Sequence, residues 1–219
     1  MVDNFELIKS ILKFDLPEHF YFVQLLKRQA DDPMIGGKKN PTYHGDMHSR
    51  SLKNYFIRKP DDLDKFKDEI INLCNTEDVR AYIRLNRRSN KAVCVRIYEH
   101  IYACMKGGTY KNPERLLSSA SGKTNSEPKE TKSWLIDVDK EYLPYLEDLA
   151  NIVNKCKSEF KCSNIMHEIH TKSGMHFIVH PFNKYDYNNY WNEFRLAHPD
   201  APKTAPVIQP DNPTILYVK

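Results

Sequence analysis

The stretch Trp134-Leu-Ile-Asp-Val-Asp139 is the most informative part of the chain. Its apolar residues predict a short buried strand. Because strand side chains alternate between two faces, Asp137 and Asp139 project from the same face. Neighbouring carboxylates repel each other, and a protein that keeps both usually supplies a divalent cation with oxygen ligands. An aspartate at a strand end can also cap the following helix, so the pair alone leaves both interpretations open.

The composition is typical of a globular protein that works in water. Of the 219 residues, 40% are hydrophobic and 28% are charged. No apolar run is long enough to span a bilayer, and the N-terminus lacks the pattern of a secretory signal. We therefore expect a cytoplasmic location and no membrane partner. The net charge of +4 permits a polyanionic partner without requiring one.

Residues 1–130 are predicted to form a largely helical α+β portion. Three segments carry apolar residues at helical spacing: 5–14, 20–29 and 61–74. A half-buried strand is predicted over 79–86, and a helix over 92–105. The breaker-rich stretch 31–46, centred on Gly36-Gly-Lys-Lys39, predicts a solvated loop. The polar stretch 107–132 predicts a flexible linker.

Residues 131–219 are predicted to form a second, sheet-containing module. Its predicted elements are a strand at 134–139, a helix at 141–160, strands at 165–171 and 175–180, a helix at 187–197, and strands at 206–209 and 214–218. When the last two short strands are counted as one pair, the order β-α-β-β-α-β is that of a split βαβ sheet of the RRM- or ferredoxin-like kind. The predicted fold class is therefore α/β (α+β), with helices on one face and the other face open to a substrate.

A second motif, Thr171-Lys-Ser-Gly-Met-His176, joins two of these strands. Gly174 permits a tight turn, and His176 enters the next strand. Lys172, Ser173, the backbone amides around Gly174 and the ring of His176 are therefore candidates to converge on an anion. The alternative is an ordinary β-hairpin with a half-exposed histidine.

The order of these motifs resembles that of the archaeo-eukaryotic primase superfamily, the primase-polymerases. The family motifs are hydrophobic-Asp-hydrophobic-Asp, Ser-x-His and a late hydrophobic-Asp. Here they correspond to Ile136-Asp-Val-Asp139, Ser173-Gly-Met-His176 and the segment around Asp211. The resemblance covers roughly residues 131–219. It departs from the family pattern in having two residues between Ser173 and His176, and no hydrophobic residue directly before Asp211.

The resemblance implies a template-dependent nucleotidyltransferase that makes primers from nucleoside triphosphates by two-metal catalysis. Asp137, Asp139 and Asp211 would hold Mg²⁺ or Mn²⁺, with Asp186 and Asp200 as rivals for the third position. Lys172, Ser173, Gly174 and His176 would bind the nucleotide. The implied partners are nucleoside triphosphates, a single-stranded DNA template, and a separate helicase or replication protein.

A basic, aromatic strand face in the first portion is a candidate contact for the template. Arginine pairs with phosphates, and tyrosine stacks on bases. The candidate nucleic-acid-binding residues are Arg80, Tyr82, Arg84, Arg87 and Arg88. The alternative is an ordinary solvated strand face.

Two other functions fit parts of the pattern. A metal-dependent nuclease would use Asp137, Asp139 and Glu168 with Lys172. A non-catalytic RRM-like module would bind single strands through exposed aromatic residues, although the chain lacks the aromatic consensus of that class. A nuclease needs no nucleotide, so nucleotide binding in the presence of Mg²⁺ or Mn²⁺ distinguishes a primase from a metal-dependent nuclease.

Overall fold

The chain is a mixed α+β protein that divides into two compact units. The computed structural model describes residues 1–31, 49–108, 115–160 and 162–219. The first unit comprises Asp3–Glu127 and Ile215–Lys219, together with Met1, and the second comprises Pro128–Thr214, together with Val2. The last five residues, predicted to belong to the second module, therefore lie in the first unit.

Within the described residues, the first sheet has five strands in the order β1-β9-β4-β2-β3, and β2 is antiparallel to both β3 and β4. The strands are β1 (Val2–Asp3), β2 (His19–Arg28), β3 (Ser49–Ile57), β4 (Arg80–Ser89) and β9 (Thr214–Val218). The helices of this unit are α1 (Phe5–Ile11), α2 (Pro60–Glu77), α3 (Asn90–Gly107) and α4 (Leu116–Lys123). The predicted strand at 79–86 and the helices at 61–74 and 92–105 correspond to β4, α2 and α3.

The prediction of a helix over 20–29 is wrong, because this segment is strand β2. Its residues Phe20 to Val23 are all buried, so both faces of the strand are covered. A strand buried on both faces shows a continuous apolar run instead of alternation, and such a run is easily mistaken for a helix. Its partner β3 was not predicted, because five of its nine residues are polar and its first half shows no apolar alternation.

The prediction of a flexible linker is wrong for residues 115–127. This segment contains α4, whose Ala120 and Ser121 are buried. Arg88, on β4, donates from Nε to the backbone carbonyl of Ser121 at 3.0 Å. Residues 109–114 of the predicted linker, and residues 32–46 of the predicted loop, lie outside the described residues.

A buried ion pair fastens the end of this segment to β4. Arg87 Nε and Nη2 lie 2.9 and 2.7 Å from the two carboxylate oxygens of Glu127, and the backbone N–H of Arg87 also donates to Glu127 at 2.7 Å. The side chains are only 2% and 4% exposed. Burial alone would lower the pKa of the Arg87 guanidinium, but the hydrogen bonds and charge of Glu127 raise this pKa above its usual value. Arg87 therefore stays charged in the interior.

In the part of the chain that the structure describes, the second sheet has four strands in the order β6-β7-β5-β8, and each neighbouring pair is antiparallel. Its strands are β5 (Trp134–Val138), β6 (Ile165–His170), β7 (Met175–Val179) and β8 (Val207–Gln209). A 3₁₀ helix (Lys140–Tyr145) leads into α5 (Leu146–Lys155), and α6 (Lys184–Ala197) follows β7. The helix predicted over 141–160 thus begins as a 3₁₀ turn that contains Pro144. Proline lacks the N–H that an α-helix interior needs.

The helices of the second unit cover one face of this sheet. Ile136, Val138, Phe177 and Val179 form a core with residues of both helices, including Leu149 and Val153 of α5 and Tyr187 and Trp191 of α6. Strand alternation places Leu135, Asp137, His176 and Ile178 on the other face. Leu135 and Ile178 are nonetheless buried, so the accessible part of this face is the end at which Asp137 lies.

The final strand does not join the second sheet as predicted. Strand β8 pairs with β5, but β9 lies between β1 and β4 in the first sheet. Among the helices of the described ranges, none is both long and apolar enough to cross a membrane.

Candidate functional site

Asp137 and His176 are direct partners on the neighbouring antiparallel strands β5 and β7. His176 Nε2 lies 3.3 Å from Asp137 Oδ1, and His176 Nδ1 lies 2.8 Å from the hydroxyl oxygen of Thr214. The His176 side chain is 11% exposed and that of Asp137 is 39% exposed. The imidazole is therefore held between two partners, and the carboxylate remains accessible to solvent on one side.

This geometry differs from the role expected of His176. Both ring nitrogens have a protein partner, so the ring has no nitrogen left over for a nucleotide phosphate in this arrangement. His176 instead fixes the orientation of Asp137, and Thr214 fixes the ring. We therefore treat His176 as a positioning residue rather than a direct nucleotide contact.

Gly174 is required by the packing of the β6–β7 turn against the end of β5. A Cβ atom on Gly174 would lie 2.1 Å from the carbonyl oxygen of Val138, which is far closer than atoms approach in proteins. The N–H of Gly174 donates to the Thr171 hydroxyl at 3.0 Å, and the Thr171 N–H donates to the Gly174 carbonyl at 3.0 Å. The amide of Gly174 is therefore engaged within the turn, which corrects the expectation that it faces an anion.

Asp139 follows β5 directly and is exposed. Its backbone is extended, with φ of −68° and ψ of 166°, so its side chain continues the alternation that begins with Asp137. It occupies the N-cap position of the 3₁₀ helix, but its carboxylate makes no capping hydrogen bond. The capping interpretation of this aspartate is therefore not what the structure shows.

The structure does not bring Asp211 to the other two aspartates. On β8, Val207 lies opposite Asp137 and Gln209 lies opposite Leu135. Asp211 follows in a turn and lies beyond the far end of this pairing. Within the described ranges, no three His, Cys, Asp or Glu side chains are grouped so that they could hold a metal ion. This register of β8 corrects the prediction of a three-carboxylate cluster.

The two rival aspartates have separate surroundings. Asp186 lies in the first turn of α6, where its carboxylate accepts a hydrogen bond from the Lys157 N–H at 3.4 Å. Asp200 lies in an exposed turn that follows α6. The donor set at the end of β5 is therefore Asp137 and Asp139. Two carboxylates suit one Mg²⁺ ion, which usually binds through one or two carboxylates together with substrate phosphates.

The candidate template residues on β4 do not form one exposed face. Arg87 and Arg88 are buried, and Arg80 pairs with Asp31 at 2.6 Å. The register of the β2–β4 pair shifts between Phe20 and Phe22. Phe20 pairs with Arg88 and Phe22 pairs with Arg84, so a step of two residues along β2 corresponds to a step of four along β4. This bulge interrupts the alternation from which the exposed positions were predicted. The expectation that Arg87 and Arg88 are exposed is therefore wrong, while Tyr82 and Arg84 are partly buried.

Thr214 is the residue of this site that sequence reasoning missed. It lies 38 residues after His176, is fully buried, and belongs to no recognisable motif. A threonine that follows Asn-Pro at the start of an apolar strand indicates only a strand beginning. Its pairing with His176 depends on tertiary structure.

We expect Thr214→Val to destabilise the protein by about 1–3 kcal/mol. Valine has nearly the same shape, but it leaves the buried Nδ1 of His176 without its partner. Urea unfolding measures the change. Thr204→Val is the matched control, because the side chain of Thr204 is exposed; equal effects of the two substitutions would contradict a structural role for the Thr214 hydroxyl.

The site therefore consists of two accessible carboxylates, one of them held by a buried histidine. No family model, no curated protein and no solved structure matches this chain.

Proposed function

We propose that this chain is a nucleotidyltransferase of the primase-polymerase type, which joins nucleoside triphosphates on a single-stranded DNA template. The observation that carries the proposal is the direct pairing of Asp137 with His176 on adjacent strands, with Asp139 directly after the end of β5. These three residues belong to two motifs whose order along the chain resembles the order of the motifs in that family. The proposed nucleotidyl transfer at the end of β5 would require the carboxylates of both Asp137 and Asp139.

The strand arrangement supports the same proposal. In chain order the elements of the second unit run β5-α5-β6-β7-α6-β8, and across the sheet they lie as β8-β5-β7-β6. The first strand is thus central, and its neighbours are the third and fourth strands. This order is the one expected of a split βαβ sheet, and it supports our proposal that the second unit is of the RRM- or ferredoxin-like kind.

Each side chain has a distinct role in the proposed site. Asp137 and Asp139 would hold Mg²⁺ or Mn²⁺, which when bound stabilises negative charge on the reacting phosphates. His176 keeps the Asp137 carboxylate oriented, and its own ring position is set by the hydrogen bond with Thr214. Gly174 keeps the β6–β7 turn close enough to β5 for this pairing to form.

One observation favours a second candidate, a module that binds nucleotides or single strands without catalysis. The position beside Asp137 on β8 is occupied by Val207, where a third carboxylate would complete a two-metal site. The nuclease alternative has less support. Glu168 pairs with Phe177 and therefore lies on the helix-covered face, away from Asp137.

Incubation with single-stranded DNA, labelled nucleotides and Mn²⁺ or Mg²⁺ tests the proposal. We expect extended products from the wild type, and a loss of at least roughly 100-fold in Asp137→Asn and Asp139→Asn, since even outer-shell partners of a metal cost 10- to 100-fold. Asp211→Asn is the matched control and should retain activity. Metal-dependent nucleotide binding without any product would establish the second candidate instead, and equal activity in all three variants would refute the site.

A further inference from the structure

Helix α3 presents large apolar side chains to solvent. The helix contacts its own unit through Val93, which is buried, and Ile97, which packs against a buried cluster on β2 and α4. Every later residue up to Gly107 is exposed except Cys104, which is partly exposed. The exposed surface of the helix nevertheless includes five large apolar residues, whose exposed fractions are 50% for Val95, 70% for Tyr98, 42% for Ile101, 58% for Tyr102 and 63% for Met105.

Four of these residues have the spacing of a helix that packs along another helix. Val95, Tyr98, Tyr102 and Met105, here called the α3 stripe, are separated by three, four and three positions. Steps that alternate between three and four place residues at the a and d positions of a heptad, which form one narrow seam along an α-helix. The residues that contact the unit's own core lie on a different face. The helix therefore has a second apolar face, which suits a second helix.

The area of the α3 stripe is that of a small interface. A tyrosine side chain presents roughly 200 Å², so Tyr98 and Tyr102 alone expose about 250 Å² at exposed fractions of 70% and 58%. The other three apolar residues bring the patch to about 500 Å², near the upper end of the largest patch on a typical monomer. A standard interface covers about 800 Å² on each partner. The stripe and its polar border therefore suit a weak dimer, whose population depends on concentration.

We propose that two copies of this chain associate through the α3 stripe, with the two helices antiparallel. A two-fold axis between the helices makes each contact occur twice. The axis passes between Tyr98 and Tyr102, so Tyr98 of each copy contacts Tyr102 of the other, and Val95 contacts Met105. The first contact pairs aromatic rings, which attract each other beyond the area they bury. The second packs a long side chain against a short one.

The charges beside the stripe favour antiparallel over parallel helices. Glu99 and Lys106 occupy the e positions of the heptads, directly after the two d residues. In antiparallel helices e positions face e positions, and side chains lean toward the N-terminus of their own helix, so Glu99 leans toward Lys106 of the second copy. In parallel helices the e positions would face the uncharged g residues Cys94 and Ile101. Glu99 also lies 3.4 Å from Arg96 of its own helix, but both side chains are more than half exposed and this pair contributes little.

Sedimentation velocity of the whole chain over a wide range of concentrations tests the proposal. We expect a monomer–dimer equilibrium in the wild type, and Tyr98→Gln with Tyr102→Gln should weaken it at least about tenfold, because buried tyrosines at the centre of an interface are frequent hot spots. Tyr185→Gln with Leu196→Gln is the matched control and should change nothing, since it replaces two side chains of α6 that are 73% and 86% exposed. A wild type that stays monomeric, or a dimer that the tyrosine variant leaves intact, overturns the proposal. The first of these results would leave the stripe to a different protein.

Exchange of the two charges tests the orientation. Glu99→Lys alone and Lys106→Glu alone each place like charges opposite one another, and each should weaken self-association about threefold to tenfold. A mixture of the two variants restores both ion pairs and should dimerise as tightly as the wild type. Single variants that dimerise normally, or a mixture that does not recover, would overturn the antiparallel arrangement. Asp137→Asn should leave the dimer unchanged, because Asp137 lies in the second unit and α3 in the first, which keeps this test independent of the proposed activity.

Discussion

Glu127→Ala is expected to destabilise the protein by about 3–5 kcal/mol, the cost of leaving a buried charge without its partner. Arg87 would lose both guanidinium hydrogen bonds to Glu127 and the bond from its own backbone N–H. Arg87 also donates to Asp15, but Asp15 is largely exposed and does not replace the lost carboxylate. Urea unfolding, followed by far-ultraviolet circular dichroism, measures the change in free energy.

Two further variants make this expectation specific. Glu159→Ala breaks the Lys129–Glu159 pair, whose side chains are both 72% exposed, and should cost no more than about 1 kcal/mol. The double variant Arg87→Met with Glu127→Leu removes both charges and should recover a large part of the loss, because apolar replacement of a buried pair is often neutral. If Glu127→Ala lowered the free energy of unfolding by as little as Glu159→Ala, the expectation would be contradicted, and the Arg87 guanidinium would be hydrated in the folded variant.

Gly174→Ala is expected to destabilise the protein by about 3 kcal/mol, at the upper end of the range for overpacking. The added Cβ would lie 2.1 Å from the Val138 carbonyl oxygen, 3.2 Å from its carbon, and 3.3 Å from the Asp139 Cα. All three are backbone atoms, so no flexible side chain can move aside. The turn and β5 must separate, and this separation should also disturb the Asp137–His176 pairing.

Urea unfolding and the nuclear magnetic resonance signals of the His176 ring measure the two effects of Gly174→Ala. Gly122→Ala provides the matched control, because nothing lies within 4 Å of a Cβ at that position and the residue is in α4. Alanine there should be neutral or stabilising by up to about 1 kcal/mol. A Gly174→Ala protein as stable as wild type, with unchanged His176 signals, would contradict the close approach.

Elements with a local signal could be predicted from the sequence. Strands β5 and β7 combine apolar residues with turn-forming neighbours, and α2 and α3 carry a helical period over 18 residues each. Strand β2 was mistaken for a helix because its burial on both faces removes the alternation that identifies strands. The linker prediction failed because the partners of its polar residues, such as Arg87 for Glu127, lie 40 positions away.

The candidate site could be predicted only as far as strand alternation reaches. Two aspartates on one face and a histidine in the strand after a glycine turn are local features, and the structure places Asp137 beside His176. Strand pairing across the whole chain decides which residue bonds the second nitrogen of the His176 ring. It also decides which residue of β8 lies opposite Asp137. Thr214 and Val207 therefore had no distinguishing signal, whereas Asp211 had a misleading one.

The position of β9 has a consequence for how the protein is made. This strand lies inside the first sheet, between β1 and β4, and Ile215 to Val218 are all buried. A ribosome synthesises residues 128–214 before it reaches them, which at roughly 5–20 residues per second takes on the order of ten seconds. Throughout that interval the nascent first unit exposes the open edges of β1 and β4. Chaperones should therefore bind the nascent chain most strongly during this interval. Removal of the last five residues would leave the edges of β1 and β4 exposed permanently.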